Sequence, residues 1–410
     1  MRQYIERFNN PDKIQYLHPK MEELLKETFG VMVYQEDVIK VAHHFAGLDL
    51  GDADILRRAM SGKYRSQHRF LQIEEKYFSQ CKKSGHSDEL AQEVWRQMKS
   101  FGGYSFSKAH SASFAVESFQ SLYLKTYYPM EFMVAVINNE GGFYNTALYM
   151  LELLKTGARL HAPCVNNSEY FTTIRGSDVY VGFRLLKSLQ EKLAHTIIEE
   201  RLRRGPYLHL QDFIERTGIT AAQLNILIQA DAFRFTGKNK KQLLWEANFL
   251  QRRHAGNASA QKLFSEAVRE FHLPDLPVYP IDDMYDQIEL MGFPLCNPFA
   301  LVDDDPSKYP RASDMKNYVG KTITLLGYHV TQKPVRTIHG HTMSFGTFMD
   351  AHLDWIDTTH FPEVHRKNPM YSGFYRITGR VVEEFSFCSI EVEHLEKVGI
   401  KRRGVKYEAA

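Results

Sequence analysis

The chain has 410 residues, of which 43% are hydrophobic and 24% are charged, and its formal net charge at pH 7 is only +2. This composition is typical of a globular protein of two or three domains. The small net charge excludes a protein that attracts nucleic acid through global basicity, although a local basic surface stays possible.

Cysteine usage and the N-terminus indicate the compartment. The four cysteines lie far apart and form no Cys-x-x-Cys pair, which argues against a zinc knuckle and against a disulfide framework. The N-terminal stretch MRQYIERFNNPDK has no apolar core and is not a signal peptide. No window approaches 18 uninterrupted apolar residues. We therefore expect a cytoplasmic protein without a membrane span.

The first 140 residues are predicted to be helical, because apolar residues recur there at helical spacing. Glycines mark the predicted helix ends, at Gly30, Gly47, Gly62 and the pair Gly102–Gly103. The third helix is predicted to begin at Asp52 or Asp54 and the fourth at Ser87. A long aromatic-rich helix over residues 111–140 is expected to break near Pro129.

Positive charge is concentrated in the stretch LRRAMSGKYRSQHR, residues 56–69. It contains no acid, and its cations are Arg57, Arg58, Lys63, Arg65 and Arg69. Residues 57–130 hold twelve Lys/Arg and six Asp/Glu, against six and ten in residues 1–56. Arginine suits phosphate because its planar fork donates bidentate hydrogen bonds. The spacing alone leaves two interpretations open, a phosphate site and a solvated helix face.

A second candidate site is FGGYSFSKAHSASFAVES, residues 101–118, where a glycine pair leads into a helix. Backbone N–H groups at that helix start, together with Lys108, His110 and Ser111, would form an anion site. The alternative is a loop with a serine cap and a histidine that packs.

Residues 160–184 are expected to form short strands, and residues 185–250 short helices. The stretch from Val181 to Arg216 has the outline of a helix-hairpin-helix element, which grips DNA phosphates through hairpin amides. Its hairpin reads LLKSLQ and lacks the glycine that allows a close approach. A purely structural hairpin is therefore an equal alternative.

The last part of the chain changes from helical to alternating patterns. A proline-rich stretch, residues 271–280, is expected to be a linker. Beyond it, five β-patterned segments predict a small barrel of the OB-fold type. These segments are residues 321–335, 342–350, 354–361, 374–385 and 388–398. The fold class is thus mixed α and β, with several domains.

No metal site is expected in this chain. The pair His339 and His341 lies where a turn is expected between two strands, and the acids at 303–305 and at Asp354 and Asp357 are more typical of solvated loops. No P-loop and no convincing Ser-His-Asp or Cys-His set is present.

Two stretches together resemble the alpha subunit of bacterial DNA polymerase III, a C-family polymerase. They are GVMVYQEDVIKVAHHFAGLDLGDADILRRAM, residues 30–60, and GYSFSKAHSASFAVESFQSLYLKTYYPMEF, residues 103–132. The family pattern reads roughly G-V-x-V-Y-Q-E, then L-R-R-A-M-G-K-K, then G-Y-x-F-N-K-S-H-S-A-x-Y-A. This chain departs from it at Ser61, Ser107, Ala109 and Phe114. It therefore looks more like an accessory or error-prone alpha-type polymerase than like a main replicase.

The resemblance implies a division of nearly the whole chain. Residues 1–160 would be a fingers-like helical domain and residues 161–250 the helix-hairpin-helix region, which LIQADAF, residues 227–233, would end. Residues 251–314 would carry a clamp-binding segment and linker, residues 315–400 the OB-fold, and residues 401–410 a tail.

The resemblance also implies roles for the basic residues. Arg57 and Arg58 would hold the triphosphate of the incoming dNTP, and Lys63, Lys108 and His110 would lie along the same pocket. Phosphoryl transfer suits such a site, because the protein mainly positions and neutralises charge. The family's two Mg²⁺ ions depend on palm aspartates that have no counterpart in this sequence, so we expect this chain to bind no cofactor and to carry no catalytic residue. It would be a C-terminal portion, as a fragment, a split gene product or a degenerate copy, and would not polymerise alone.

A short segment resembles the sliding-clamp-binding peptides of this family. In ASAQKLFSE, residues 258–266, Gln261, Leu263 and Phe264 fit a shortened form of the peptide. The alternative is an ordinary amphipathic turn. A similar peptide, QADAF at residues 229–233, is expected to be buried instead.

The predicted barrel offers candidates for binding single-stranded DNA through stacked aromatics in a basic groove. They are Tyr328, Lys333, Arg336, Phe345, Phe348 and Phe361. Phe345 and Phe348 are three residues apart, so in a regular strand they face opposite sides and at most one can stack.

Two classes of function stay open at this point. The chain could be part of a DNA-directed DNA polymerase in replication or repair synthesis, binding dNTP and primer-template DNA. Its palm would then lie in the same parent chain or act in trans. Alternatively, it could be a non-catalytic module that binds DNA or tethers a sliding clamp.

Overall fold

The computed structural model describes residues 2–60, 67–100, 106–254 and 277–404. The chain divides into two compact units, an N-terminal unit that ends at Tyr123 and a C-terminal unit that begins at Leu124. The finer division into five segments stays a prediction.

The N-terminal unit is helical, as predicted. Its helices are α1 (Arg2–Asn9), α2 (Pro19–Leu25), α3 (Gln35–Lys40), α4 (Leu50–Met60), α5 (Gln67–Lys83), α6 (Asp88–Ser100) and α7 (Lys108–Tyr127), which runs past the unit boundary. A π-helical turn, Val41–Phe45, continues α3. Apolar faces of α2 to α6 form one core, in which Leu56, Tyr77 and Trp95 are buried. The core fixes α4, and with it the arginines near the end of that helix.

Two helix starts show how side-chain caps set the boundaries. Helix α6 begins as predicted, because the Ser87 hydroxyl accepts a hydrogen bond from the Leu90 N–H at 3.2 Å. The predicted start of α4 at Asp52 or Asp54 is wrong. The helix begins at Leu50, and Asp49 accepts a hydrogen bond from the Asp52 N–H at 2.8 Å. Asp52 and Asp54 therefore lie inside α4.

The first part of the C-terminal unit combines helices with a small sheet. Helix α7 ends at Tyr127 and α8 (Pro129–Asn138) begins two residues later, which confirms the break at Pro129. Its further helices are α9 (Thr146–Lys155), α10 (Glu191–Arg204), α11 (Leu210–Thr217), α12 (Ala221–Gln229), α13 (Lys240–His254) and α14 (Pro280–Met291). Strands β1 (Arg159–His161), β2 (Thr173–Arg175) and β3 (Asp178–Tyr180) form a sheet in the order β1-β3-β2.

A closed five-stranded barrel follows in the same unit. Its strands are β4 (Thr322–Arg336), β5 (Thr342–Met349), β6 (Trp355–His360), β7 (Phe374–Glu384) and β8 (Phe387–Val398), and α15 (Pro362–Lys367) lies between β6 and β7. The strand order around the barrel is β4-β5-β6-β8-β7, and only β6 and β8 pair in parallel. This five-stranded barrel confirms the predicted OB-fold.

Part of the outer barrel surface is covered by α9. Leu148 and Leu151 of this helix form a buried cluster with Met349 at the end of β5 and with Leu353. The helical part and the barrel of the C-terminal unit therefore share an apolar contact.

The predicted linker lies partly outside the described residues, and α14 begins at its last residue, Pro280. Among the helices that the structure describes, none is long and apolar enough to cross a membrane.

Candidate nucleotide and nucleic-acid interfaces

Arg57 and Arg58 lie in the last turn of α4 and share one carboxylate. Arg57 Nε and Nη2 contact Asp54 Oδ1 at 2.8 and 2.7 Å, and Arg58 Nε contacts Asp54 Oδ2 at 2.8 Å. The hydrogen bond from Arg57 is the main cause that lowers the pKa of Asp54, and both arginine charges add to it. The Arg58 side chain is 59% exposed and that of Arg57 25%. The guanidinium groups of Arg57 and Arg58 thus share the carboxylate of Asp54.

A second contact holds Arg57 from another helix. Its Nη1 donates to Gln35 Oε1, the side-chain oxygen of the first residue of α3, at 2.8 Å. The amide oxygen is neutral, so it orients the guanidinium without cancelling the positive charge. Such a held, partly exposed arginine is suited to a phosphate oxygen.

The predicted anion site at the start of α7 is occupied by a carboxylate of the protein itself. Glu36 Oε1 accepts from the Ser107 hydroxyl at 2.6 Å and from the Ala109 N–H at 3.2 Å, and Glu36 Oε2 accepts from the Lys108 N–H at 3.0 Å. Burial acts to raise the pKa of Glu36, but these hydrogen bonds outweigh it and lower the pKa to about 2. In this arrangement the Lys108 and Ala109 amides donate to Glu36, so the structure favours a carboxylate of the protein over a phosphate at this helix start.

The side chains predicted for that site remain close to it. Lys108 forms an ion pair with Glu27 and lies 5.5 Å from the ring centre of Tyr34. The exposed His110 ring packs on Phe114 with ring centres 4.4 Å apart. Lys63 lies outside the described residues, as do Arg65 and the Gly102–Gly103 pair.

Backbone groups of the predicted hairpin around Ser188 form hydrogen bonds with other parts of the protein. Ser188 adopts a left-handed conformation, with φ of 63°, which favours glycine. The Gln190 N–H donates to Gln223 Oε1 at 2.8 Å, and Gln223 Nε2 donates to the Ser188 carbonyl at 2.9 Å. The Lys187 N–H donates to the Leu290 carbonyl at 2.8 Å. These contacts favour the structural interpretation of this hairpin.

A second hairpin, not among the predicted sites, joins α11 to α12. Gly218 has φ of 61°, Ile219 is buried, and Thr220 caps α12 without a side-chain hydrogen bond. Thr220, Ala221 and Ala222 are exposed residues, and their backbone N–H groups have no acceptor in the described part of the chain. The glycine in RTGIT, between two helical stretches, is the sequence signal that identifies this hairpin.

The barrel candidates fall into two groups. The prediction that Phe348 stacks on DNA is wrong. Its ring is fully buried and contacts Tyr375 in the barrel core, with ring centres 5.9 Å apart. Tyr328 is half-buried against Phe374, at 5.1 Å between ring centres, in a cluster that includes Phe299. Both rings are therefore used in packing.

Among the other candidates, Lys333, Phe345 and Phe361 belong to the open outer face of β4, β5 and β6, whereas Arg336, three residues after Lys333, belongs to the opposite face of β4. Lys333 lies directly opposite Phe345, which lies opposite Thr359, so the three side chains share one face. Phe345 is 47% and Phe361 45% exposed. Arg336 is exposed at the end of β4. The predicted set lacks Trp355, which is 39% exposed and belongs to the same alternating set of β6 as Thr359.

Two further predictions concern the clamp. Gln261, Leu263 and Phe264 lie outside the described residues. The similar peptide at residues 229–233 is packed as predicted, since Ala230, Ala232 and Phe233 are buried.

Comparison with known proteins connects these features. Residues 1–85 match the family model of the bacterial DNA polymerase III alpha subunit finger domain, and residues 157–243 match a helix-hairpin-helix motif. DNA polymerase III subunit alpha of Treponema pallidum (strain Nichols) is 30% identical over an alignment of 460 residues, gaps included. The alignment covers 99% of this chain and 38% of that protein. The subunit alpha of Staphylococcus aureus (strain MRSA252) is 28% identical over 377 residues, which cover 89% of this chain and 34% of that protein.

The chain is homologous to the C-terminal region of the DNA polymerase III alpha subunit. It spans between 34% and 38% of the length of these curated relatives. The finger match contains Gln35, Glu36, Arg57 and Arg58, and the helix-hairpin-helix match contains both hairpins. The barrel lies outside both family models, within the stretch aligned to the Treponema alpha subunit.

Proposed function

We propose that this chain supplies nucleotide and DNA contacts of a DNA polymerase III alpha-type DNA-directed DNA polymerase. Arg57 and Arg58 bind the triphosphate of the incoming dNTP, and Lys108 and His110 lie along the same pocket. The observation that carries the proposal is the arginine pair at the end of α4, held by Asp54 and Gln35 within the region matched to the finger domain.

The chemistry follows from the charges. A triphosphate brings several negative charges, and the two neighbouring guanidinium groups offer it several N–H donors. Charge-assisted hydrogen bonds to phosphate are short and stronger than neutral ones. In phosphoryl transfer, such groups position the nucleotide and neutralise its charge.

The metal chemistry belongs elsewhere in the enzyme. Over the described ranges, no three His, Cys, Asp or Glu side chains converge on a point where a metal could be held. These residues do not fit the two Mg²⁺ ions of a polymerase, so no metal-dependent step is assigned to them. We place those ions in a palm in the same parent chain or acting in trans.

DNA contacts are proposed at two places in the C-terminal unit. The hairpin of Gly218 and Thr220 offers N–H groups of exposed residues to the DNA backbone, and the helix-hairpin-helix match supports this role. The open face of the barrel, with Lys333, Phe345 and Phe361, offers a cation and exposed rings to single-stranded template.

The proposal is tested by nucleotide binding to the full chain. Arg57→Ala or Arg58→Ala should weaken dATP binding by about 1–3 kcal/mol, the scale of a hydrogen bond to a charged group. Arg96→Ala is the matched control, because Arg96 pairs with Glu93 on α6 of the same unit. Equal affinity in the wild type and both variants would overturn the nucleotide role. A chain that binds DNA but no dATP would be the non-catalytic module instead.

A further inference from the structure

Gln35 contacts two parts of the proposed nucleotide site, Arg57 of α4 and the segment that leads into α7. Its side-chain Oε1 accepts the hydrogen bond from Arg57 Nη1 at 2.8 Å, and its backbone N–H donates to the Phe106 carbonyl at 2.8 Å. Phe106 lies two residues before α7. One residue at the start of α3 therefore joins the arginine of α4 to the segment that leads into α7.

Glu36, the next residue, holds α7 itself. Its carboxylate accepts hydrogen bonds from the Ser107 hydroxyl and from the Lys108 and Ala109 amides. An anion at a helix start is stabilised by the N–H groups and by the helix dipole. With a pKa of about 2, Glu36 supplies that anion throughout the neutral range.

The turn that presents this pair is itself fixed. Asp37 is buried, and its Oδ2 accepts from the Val33 and Tyr34 N–H groups at 3.0 and 2.9 Å. The Tyr34 ring stacks on Phe106, with ring centres 5.9 Å apart. Residues 33–37 thus form a well-bonded turn, and the side chains of Gln35 and Glu36 leave it in defined directions.

We propose that Gln35 and Glu36 are positioning residues for nucleotide binding. Gln35 orients the Arg57 guanidinium toward the triphosphate, and Glu36 fixes the first turn of α7. Because Glu36 occupies the helix start, the phosphates are directed to the arginine side chains and not to the α7 amides. This inference rests on the proposed function of Arg57.

A purely structural role predicts a different outcome. If Gln35 only joined α3 to α4, its loss would lower the stability of the unit and would weaken the binding of any nucleotide to a similar extent. A positioning role acts through Arg57, so its effect should depend on the phosphates and on the presence of Arg57.

The Gln35 test is a double-mutant cycle in the full chain, with dATP and dAMP as the probes. Gln35→Met keeps the side-chain size and removes the acceptor, and Gln72→Met on the exposed face of α5 is the control. We expect Gln35→Met to weaken dATP binding about fivefold to tenfold, the scale of one hydrogen bond, with little effect on dAMP. In the Arg57→Ala background it should have no further effect. Gln35→Leu serves as a second variant if methionine disturbs folding.

The Glu36 test uses hydrogen exchange beside affinity. Glu36→Ala should speed exchange at the Lys108 and Ala109 amides and weaken dATP binding at least about fivefold. Faster exchange with unchanged affinity would overturn the role of Glu36. Additive effects of Gln35→Met and Arg57→Ala would overturn the role of Gln35. If Arg57→Ala alone left dATP affinity unchanged, the proposed function itself would fail.

Discussion

Asp54 forms ion pairs with the first two arginines of the basic stretch that begins at Leu56. Residues 56–69 contain no acid, but Asp54 lies just before them in α4. It is three residues before Arg57 and four before Arg58, so it contacts both. The pair is therefore partly neutralised and held in place. Gln35 is 22 residues from Arg57 in sequence, so no local pattern predicts that contact.

His360 shows how a single buried group couples the barrel to pH. It is fully buried, its Nε2 lies 2.9 Å from Thr358 Oγ1, and its buried Nδ1 has no partner among the described residues. Gly346 makes room for it, since a Cβ there would lie 2.7 Å from Thr358 Oγ1 and 3.1 Å from His360 Nε2. Burial, with smaller contributions from His365 and His329, lowers the pKa of His360 to about 4.

We predict that the barrel loses stability as the pH falls from 7 to 5. The folded barrel keeps His360 neutral, whereas the unfolded chain binds a proton near the ordinary histidine pKa of about 6.5. Between pH 6.5 and 4 the unfolded state therefore binds more protons, and stability should fall by about 2 kcal/mol between pH 7 and 5. Hydrogen exchange of β5 and β6 in the full chain measures this loss.

The matched variants for this prediction are His360→Asn and His394→Gln. His394 is exposed on β8, so its replacement should leave the pH dependence unchanged. His360→Asn should flatten it. A barrel equally stable at pH 7 and pH 5 in the wild type would contradict the prediction.

At the scale of single elements, the two hairpins of the C-terminal unit differ in what their backbones contact. In the hairpin of Ser188, Gln223 pairs with both the Gln190 N–H and the Ser188 carbonyl. In the hairpin of Gly218, the residues that begin α12 are exposed. The two turns can therefore be distinguished by introducing the same charge into each.

We predict that Thr220→Asp weakens DNA binding about tenfold and that Ser188→Asp does not. Asp is a good helix cap at position 220, so α12 stays intact while its charge repels phosphate. Asp also tolerates the left-handed backbone at position 188. Titrations of duplex DNA across a salt series measure both affinities, and the salt slope reports the phosphate contacts. A loss confined to Ser188→Asp would assign the DNA contact to the other hairpin.

The barrel face leads to a second prediction at this scale. Phe345→Ala and Phe361→Ala should each weaken binding of single-stranded DNA by about 1–3 kcal/mol, the scale of one stacked base. Phe143→Ala, in the loop between α8 and α9, is the control, because that ring is fully exposed and belongs to none of the barrel strands. Fluorescence titration with a labelled oligonucleotide measures each variant. If all three variants bind like the wild type, the face is not a nucleic-acid surface.

For the whole molecule, local sequence patterns predicted the strands of the barrel better than the contacts of the candidate functional sites. The five predicted barrel segments agree with the strands to within one residue at each end, because β-patterned alternation and turn residues are both local signals. The site required contacts between distant residues. Glu36 lies 71 residues from Ser107, and nothing in the stretch around Lys108 shows that a carboxylate fills the helix start. Phe348 and Phe345 could not be assigned to a face before the register was known.

The clamp segment leads to a prediction at this scale. A peptide of residues 258–266 should bind a bacterial sliding clamp, with Leu263 and Phe264 as apolar anchors. Changing both anchors to alanine should weaken binding at least about tenfold, the loss expected when hot-spot side chains are truncated. Isothermal titration against the clamp measures both peptides, and a scrambled peptide is the control. Equal binding by the two peptides, or none by either, would remove this segment as a tether.

The contact between α9 and the barrel has a consequence for synthesis on the ribosome. Leu148 and Leu151 meet Met349 and Leu353, which lie about 200 residues further along the chain. At roughly 5–20 residues per second, the apolar stripe of α9 leaves the ribosome about 10 to 40 seconds before its final partners are made. During that interval these leucines are open to other nascent chains and to chaperones. The synthesis of β5 and of the segment that follows it therefore decides when these leucines of α9 can be covered.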